Sequence, residues 1–195
     1  MGEHRHAKIV RELLRNRLER GRCAEIGVWS GRTADILLGS LQSLKTYYAI
    51  DPYLAYPDYL SQAHDNLGEC PQAYLNDMYR RTWSRLTRKY GKRLIFLRHE
   101  TSVVSGATMI PRESLDLVFI DGNHSPPYVE FDVTAAELWV RQGGIICGHD
   151  WGRVHRTVRL ALKQLGYSDI DDHKHNTWWV EKVRSASCHA TSNQS

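Results

Sequence analysis

EIGVWSGRT, Glu25 to Thr33, decides how this chain is read. It closes an apolar, strand-like run, RCAEIGV (22–28), and opens a segment of helical period with Ile36, Leu37, Leu38 and Leu41. The stretch is thus a strand, a glycine-bearing turn and a helix N-terminus in direct succession. It is not the phosphate loop GxxxxGK[ST], because only three residues separate Gly27 from Gly31 and an arginine, Arg32, stands where the lysine must be. Nor is it the GxGxxG dinucleotide fingerprint, whose middle glycine would fall on Val28. What remains is general: glycines let backbone approach a bulky ligand, and the helix N-terminus behind them suits a carboxylate.

The same alternation continues along the chain. Apolar runs TYYAID (46–51), RLIFLRH (93–99), LDLVFID (115–121) and GGIICGHD (143–150) alternate with helix-period segments at 72–90, 126–140 and 154–165, and TWWVEKV (177–183) closes the series. A basic, helix-like stretch over 5–22 precedes it, with the N-terminal helix placed at 1–20. Strands separated by helices predict an α/β fold with a mostly parallel sheet covered on both faces. Ligands of such sheets lie beyond the carboxyl ends of the strands. Attention therefore falls on Glu25 to Gly31, Asp51, His99 to Ser102, Asp121 to His124 and His149 to Trp151.

Composition limits the alternatives. The 195 residues, 42% hydrophobic and 25% charged, suit one soluble domain, here 1–183, with a polar tail 184–195 read as disordered. No apolar run approaches the roughly 18–20 residues of a membrane span, so a cytoplasmic protein with no membrane partner is expected. Four scattered cysteines, Cys23, Cys70, Cys147 and Cys188, form no CxxC pair and suggest neither a disulfide framework nor a thiolate zinc site. The net charge of +4 is mild, and the arginines of the first helix read as a solvated face.

The series EIGVWSGRT, YYAIDPY, LDLVFIDGNHS, RQGGIICGHDW and NTWWVEK, in that order over roughly residues 20–183, resembles a small class I S-adenosylmethionine-dependent methyltransferase family (methyltransferase family 24-like). The family's patterns are E-I-G…G-R-[ST], D-P-[WY], D-G-N-H-S-Y, G-G-I-x-x-G-H-D-Y and a closing S-W-x-x-x-K. Pro126-Pro127 and Trp151 depart from it without touching a motif carboxylate or glycine. The resemblance implies a Rossmann-like, seven-stranded sheet of order 3-2-1-4-5-7-6 with an antiparallel last strand. The sixth strand, somewhere in YSDIDDHK (167–174), is the weakest element, and Asp171, Asp172, His173 and His175 read as a solvated loop rather than a metal cluster.

Function follows from the same resemblance as expectation. S-adenosylmethionine would be held by Glu25, Ile26, Gly27, Gly31, Asp51, Thr101, Ser102 and Asp121, with Asp51 accepting the ribose hydroxyls. By likeness to catechol, macrolide-sugar and cephalosporin-tailoring enzymes, Asp121, His149 and Asp150 fall on the ligand positions of a divalent cation, Mg²⁺ or Mn²⁺. The imidazole shifts the preference away from the hardest ions. His124, three residues after Asp121, occupies the place of a general base, a role suited to its ordinary pKa near ~6.5. The alternative for His124 is a hydrogen bond that orients Asp121, and for His149 a loop-shaping one.

The expected partner is a small molecule or sugar offering a hydroxyl; a homo-oligomer is left open. Two rivals stand beside this. SPPY (125–128) spells the base-holding box of nucleic-acid amino-methyltransferases, yet it follows Asp121 to His124 instead of ending the strand, and Ser125-Pro126 reads as a helix start. A non-catalytic nucleotide- or cofactor-binding module is the other. Tyr53 to Cys70, with Tyr53, Tyr56 and Tyr59, is read as either a substrate cover or a packed loop.

Overall fold

The computed structural model describes residues 5–56, 71–167, 170–173 and 176–182. Tyr59, Cys70 and His175, and the tail 184–195, lie outside them. Helices are α1 (Arg5–Arg15), α2 (Arg32–Ser40), α3 (Gln72–Tyr90), α4 (Thr101–Gly106), α5 (Pro126–Trp139) and α6 (Trp151–Gln164). Strands are β1 (Arg22–Ile26), β2 (Thr46–Ile50), β3 (Leu94–Leu97), β4 (Leu115–Ile120), β5 (Val140–Gly148), β6 (Asp171–His173) and β7 (Thr177–Glu181). They form one sheet of order β3-β2-β1-β4-β5-β7-β6, the order expected. The first five strands are parallel; β7 is antiparallel to both β5 and β6. None of the described helices is long and apolar enough to cross a membrane.

The centre of the sheet explains the apolar runs. Every residue of β4 is buried, and alternate side chains serve opposite layers. Val118 and Ile120 pack with Val133, Trp139 and Trp178, while Leu117 and Phe119 pack with Leu14, Leu37 and Tyr47. A strand covered on both faces has no polar side to show.

Several boundaries differ from expectation for local reasons. The first helix stops at Arg15, short of 20 or 22. The backbone N–H groups of Glu19, Arg20 and Arg22 are committed instead to the carboxylate of Asp116, at 3.0–3.2 Å. Asp116 is fully buried and also meets Arg141 Nε at 2.8 Å. Strand β5 starts at Val140 rather than 143, directly after α5, because its glycine pair accommodates an irregular register: Gly143 has φ 71°, and a Cβ on Gly144 would lie 2.9 Å from the Asp116 carbonyl oxygen. The sixth strand expected within 167–174 is the edge strand β6, Asp171 to His173, paired with β7. An edge strand needs backbone partners more than apolar side chains. Helix α4 carries no periodic signal in its six residues and was not anticipated.

Candidate active site

Gly27 ends β1 with φ 87°, and a Cβ there would overlap the backbone carbonyl of Asp121. Only glycine lets the exits of β1 and β4 lie this close, and their closeness brings the two carboxyl-end loops to one cavity. Its N–H is donated to the Ile50 carbonyl at 2.9 Å. Gly31 also has positive φ, 68°, but a Cβ there would meet Leu86 Cδ1 at 2.6 Å and Thr82 Cγ2 at 2.8 Å. Gly31 is therefore glycine so that α3 can pack on the turn, and it does not line the cavity.

The cavity has a volume of about 440 Å³ and opens at the carboxyl ends of β1 to β5. Six of the eight residues expected at the cofactor line it: Ile26, Gly27, Asp51, Thr101, Ser102 and Asp121. Glu25 does not. It points the other way, 2% exposed, and accepts a 2.7 Å hydrogen bond from the Tyr47 hydroxyl. Burial holds its carboxyl well above the usual range. In a strand, neighbours face opposite sides, so Ile26 lines the cavity and Glu25 does not.

Asp51 anchors the loops around it. Its Oδ2 accepts the N–H groups of Val28 and Trp29, both at 2.9 Å, and its Oδ1 accepts that of Tyr53 at 2.8 Å. Burial raises its pKa, against which these three donors act. Each carboxylate oxygen retains lone-pair capacity toward the cavity, enough for a ligand hydroxyl. Of the suggested cover, Tyr53 is 2% exposed with its hydroxyl on the Trp29 carbonyl, and it also lines the cavity. Tyr56 lines the cavity and donates to Glu100 Oε1 at 2.9 Å.

At the end of the cavity nearest β4 and β5, Asp121, His124 and Asp150 each present a ligand atom within 4.8 Å of the others. His124 Nε2 lies 2.8 Å from Asp150 Oδ2, yet it is buried and outside hydrogen-bonding alignment. A buried ring nitrogen without an aligned proton partner, facing two carboxylates, is a donor set that fits a divalent cation. The expected set had His149 in place of His124. His149 also approaches both carboxylates, from the α1 side, its Nδ1 3.5 Å from Asp121 Oδ1 and from Asp150 Oδ1, with the His6 ring 4.7 Å from its own.

Electrostatics acts in opposite directions on His149 and Asp150. Asp121, then Asp150, pushes His149 up to about 10, so it is a cation at neutral pH. His124, then His149, holds the Asp150 carboxyl well below its usual range.

Two residues at the site were not singled out from the sequence. Asn176, φ 63°, accepts the Gly152 N–H on Oδ1 at 2.6 Å, accepts the Trp151 N–H on its carbonyl and donates Nδ2 to Asp150 Oδ1 at 3.1 Å. It pins the left-handed turn at Asp150, φ 54°, that starts α6. An asparagine just before a strand is a usual bearer of that conformation, and this was its only local signal. Asp132 is the second. It lines the cavity from α5 at 5% exposure, and burial pushes its carboxyl up to about 7. Its spacing from Val129 and Ala136 put it on the buried face of α5, which was legible. Ser125 and Pro126 do start α5, with the Val129 N–H on the Ser125 carbonyl.

Comparison with known proteins bears on the family and the fold. Residues 24–151 match the family described as a methyltransferase domain. No curated protein sequence matches the chain. Among solved structures, a protein from Corynebacterium glutamicum superposes with a TM-score of 0.66 at 18% identity, covering 96% of this chain and 84% of its own. An SAM-dependent O-methyltransferase from Thermotoga maritima gives 0.64 at 13% identity, with 95% and 67% covered. The O-methyltransferase TomG from Streptomyces achromogenes, involved in tomaymycin synthesis and solved with SAM, gives 0.58 at 15% identity, with 93% and 82% covered. At such identities the likeness speaks for the fold, while the family match takes in 128 of the 195 residues, β1 through the start of α6. The chain belongs to this methyltransferase-domain family.

Proposed function

We propose that the protein transfers the methyl group of S-adenosylmethionine to a hydroxyl of a small molecule or sugar with the help of a divalent cation. The observation that carries this is the convergence of Asp121, His124 and Asp150 at one end of a cavity whose other walls suit the cofactor. Gly27 and the N-terminus of α2 face the methionine portion, Asp51 takes the ribose hydroxyls, and Thr101 and Ser102 stand beside the base. Asp121, His124 and Asp150 would hold the cation. When bound, it lowers the pKa of an acceptor hydroxyl and compensates the charge of the oxyanion.

The remaining work is alignment and exclusion of water, since the sulfonium is already an activated donor. Asn176 keeps Asp150 turned into the site, and cationic His149 restrains both carboxylates from behind. The 2.8 Å approach of His124 Nε2 to Asp150 Oδ2 favours one second reading, in which Asp150 orients His124 and the other ring nitrogen takes the hydroxyl proton as general base. SPPY belongs to the first turn of α5, which speaks against holding a flipped base.

Calorimetry of S-adenosylmethionine binding, with turnover on a panel of hydroxylated compounds, tests the reading with and without chelator on wild type, Asp121→Ala, His124→Ala and His149→Ala. Binding should survive chelation while turnover is lost, and Asp121→Ala and His124→Ala should weaken Mn²⁺ binding more than His149→Ala. Full turnover under chelation, with His124→Ala inactive, would favour the base reading. Absence of S-adenosylmethionine binding, or metal-free methylation of oligonucleotides, would overturn the proposal.

A further inference from the structure

Asp132 lines the same cavity as Asp51, Glu100, Asp121 and Asp150, yet nothing in the chemistry above uses it. It sits on α5, one turn beyond Tyr128, with only 5% of its surface exposed. The Thr101 hydroxyl at the start of α4 is the side-chain hydrogen-bond partner that acts on it. Gly122, after β4, leaves room for it: a Cβ there would lie 3.3 Å from Asp132 Oδ2. Asp132, Thr101 and Gly122 all line the cavity, so the carboxyl belongs to the wall shared by α4, α5 and the β4 loop.

That wall has a definite place along the ligand. With the methionine portion at the α2 N-terminus and the ribose at Asp51, the part left for the α4 and α5 side is the base. A carboxyl group offers more hydrogen-bonding capacity than one threonine hydroxyl satisfies. Leaving the remainder buried and unmatched is costly, which gives a ligand with complementary groups an advantage. Adenine presents a 6-amino donor next to the N1 acceptor, and a carboxyl can accept from the first while its protonated form donates to the second. Burial, which keeps the proton on Asp132 up to about neutral pH, makes both contacts available.

Resting on the S-adenosylmethionine reading, we infer that Asp132 is a specificity-determining residue that recognises the 6-amino edge of the cofactor's adenine. The test compares S-adenosylhomocysteine with its analogue lacking the 6-amino group, which removes one donor without adding bulk. Both are titrated by calorimetry into wild type, Asp132→Asn and Asp132→Leu. Wild type and Asp132→Asn, whose amide keeps an acceptor and a donor, should bind the analogue about tenfold more weakly than S-adenosylhomocysteine. Asp132→Leu should bind the two within about twofold of each other. Because each ratio is measured within one variant, a general loss of stability does not imitate the result.

Undiminished discrimination by Asp132→Leu, or none by wild type, overturns the inference and leaves the cofactor reading standing. Failure of wild type to bind S-adenosylhomocysteine at all overturns the cofactor reading, and the inference with it.

Discussion

Replacing Asp132 by asparagine should stabilise the ligand-free protein, by an amount that grows with pH. In the folded chain burial pushes this carboxyl up to about 7, the Thr101 hydroxyl acting in the opposite direction. In the unfolded chain it returns to the ordinary aspartate value near ~3.9. The folded pKa is the higher one, so its contribution to stability is fully present below about pH 4 and is lost as the pH rises through about 7. A difference of about three units at ~1.36 kcal/mol each is roughly 4 kcal/mol, spread over that window. Asparagine keeps the shape and the hydrogen bond from Thr101 but carries no proton to lose. Urea unfolding of wild type and Asp132→Asn should therefore give similar stabilities near about pH 4 and a variant more stable by roughly 3–4 kcal/mol near about pH 8. Other ionisations cancel in the difference between the two proteins. Parallel pH profiles, or a variant less stable at the alkaline end, would refute the placing of a desolvated acid in this wall. A residue that costs stability in the free protein is what ligand recognition would retain.

Gly27→Ala combines a left-handed φ with overlap on the Asp121 carbonyl, and should cost about 3 kcal/mol or more in urea unfolding together with loss of S-adenosylmethionine binding. Without metal, His149 is held up to about 10 by Asp121 and Asp150. Its contribution is full below the unfolded imidazole pKa of ~6.5 and vanishes as the pH rises through about 10; thermal melts of metal-free wild type, but not of His149→Gln, should fall over that range. Asn176→Ala removes the acceptor of the Gly152 N–H and one donor to Asp150 Oδ1, and should lower stability by about 1 kcal/mol. The same variant should weaken Mn²⁺ binding followed by titration; unchanged Mn²⁺ affinity would remove Asn176 from the site.

Much of the sheet was legible because its strands are covered on both faces. LDLVFI, GGIICG and TYYAI had to be continuous apolar runs, and the strand order followed once the motif series was placed in sequence. Helix α4 was illegible since six residues packed at one end leave no period to read. The early stop of α1 depends on Asp116, about a hundred residues away in sequence, so no local signal could place it. The edge strand β6 exists through pairing with β7, not through its own composition.

For the site, the chain alone determined which strand ends matter and that Gly27, Asp51, Asp121 and Asp150 stand there. Spacing along one chain does so because each strand delivers its last residues to the same edge of the sheet. How the two imidazoles approach the carboxylates was decided only by tertiary structure. His124 and His149 follow different strands at comparable places in sequence, but the His124 ring turns into the cavity while His149 packs against His6 of α1. The same holds for Glu25 and Gly31, whose motif positions are cofactor-like but whose contacts are Tyr47, Leu86 and Thr82. Sequence orders the groups along a strand, whereas the direction each side chain faces, and the charge it carries there, depend on what the rest of the chain packs against it.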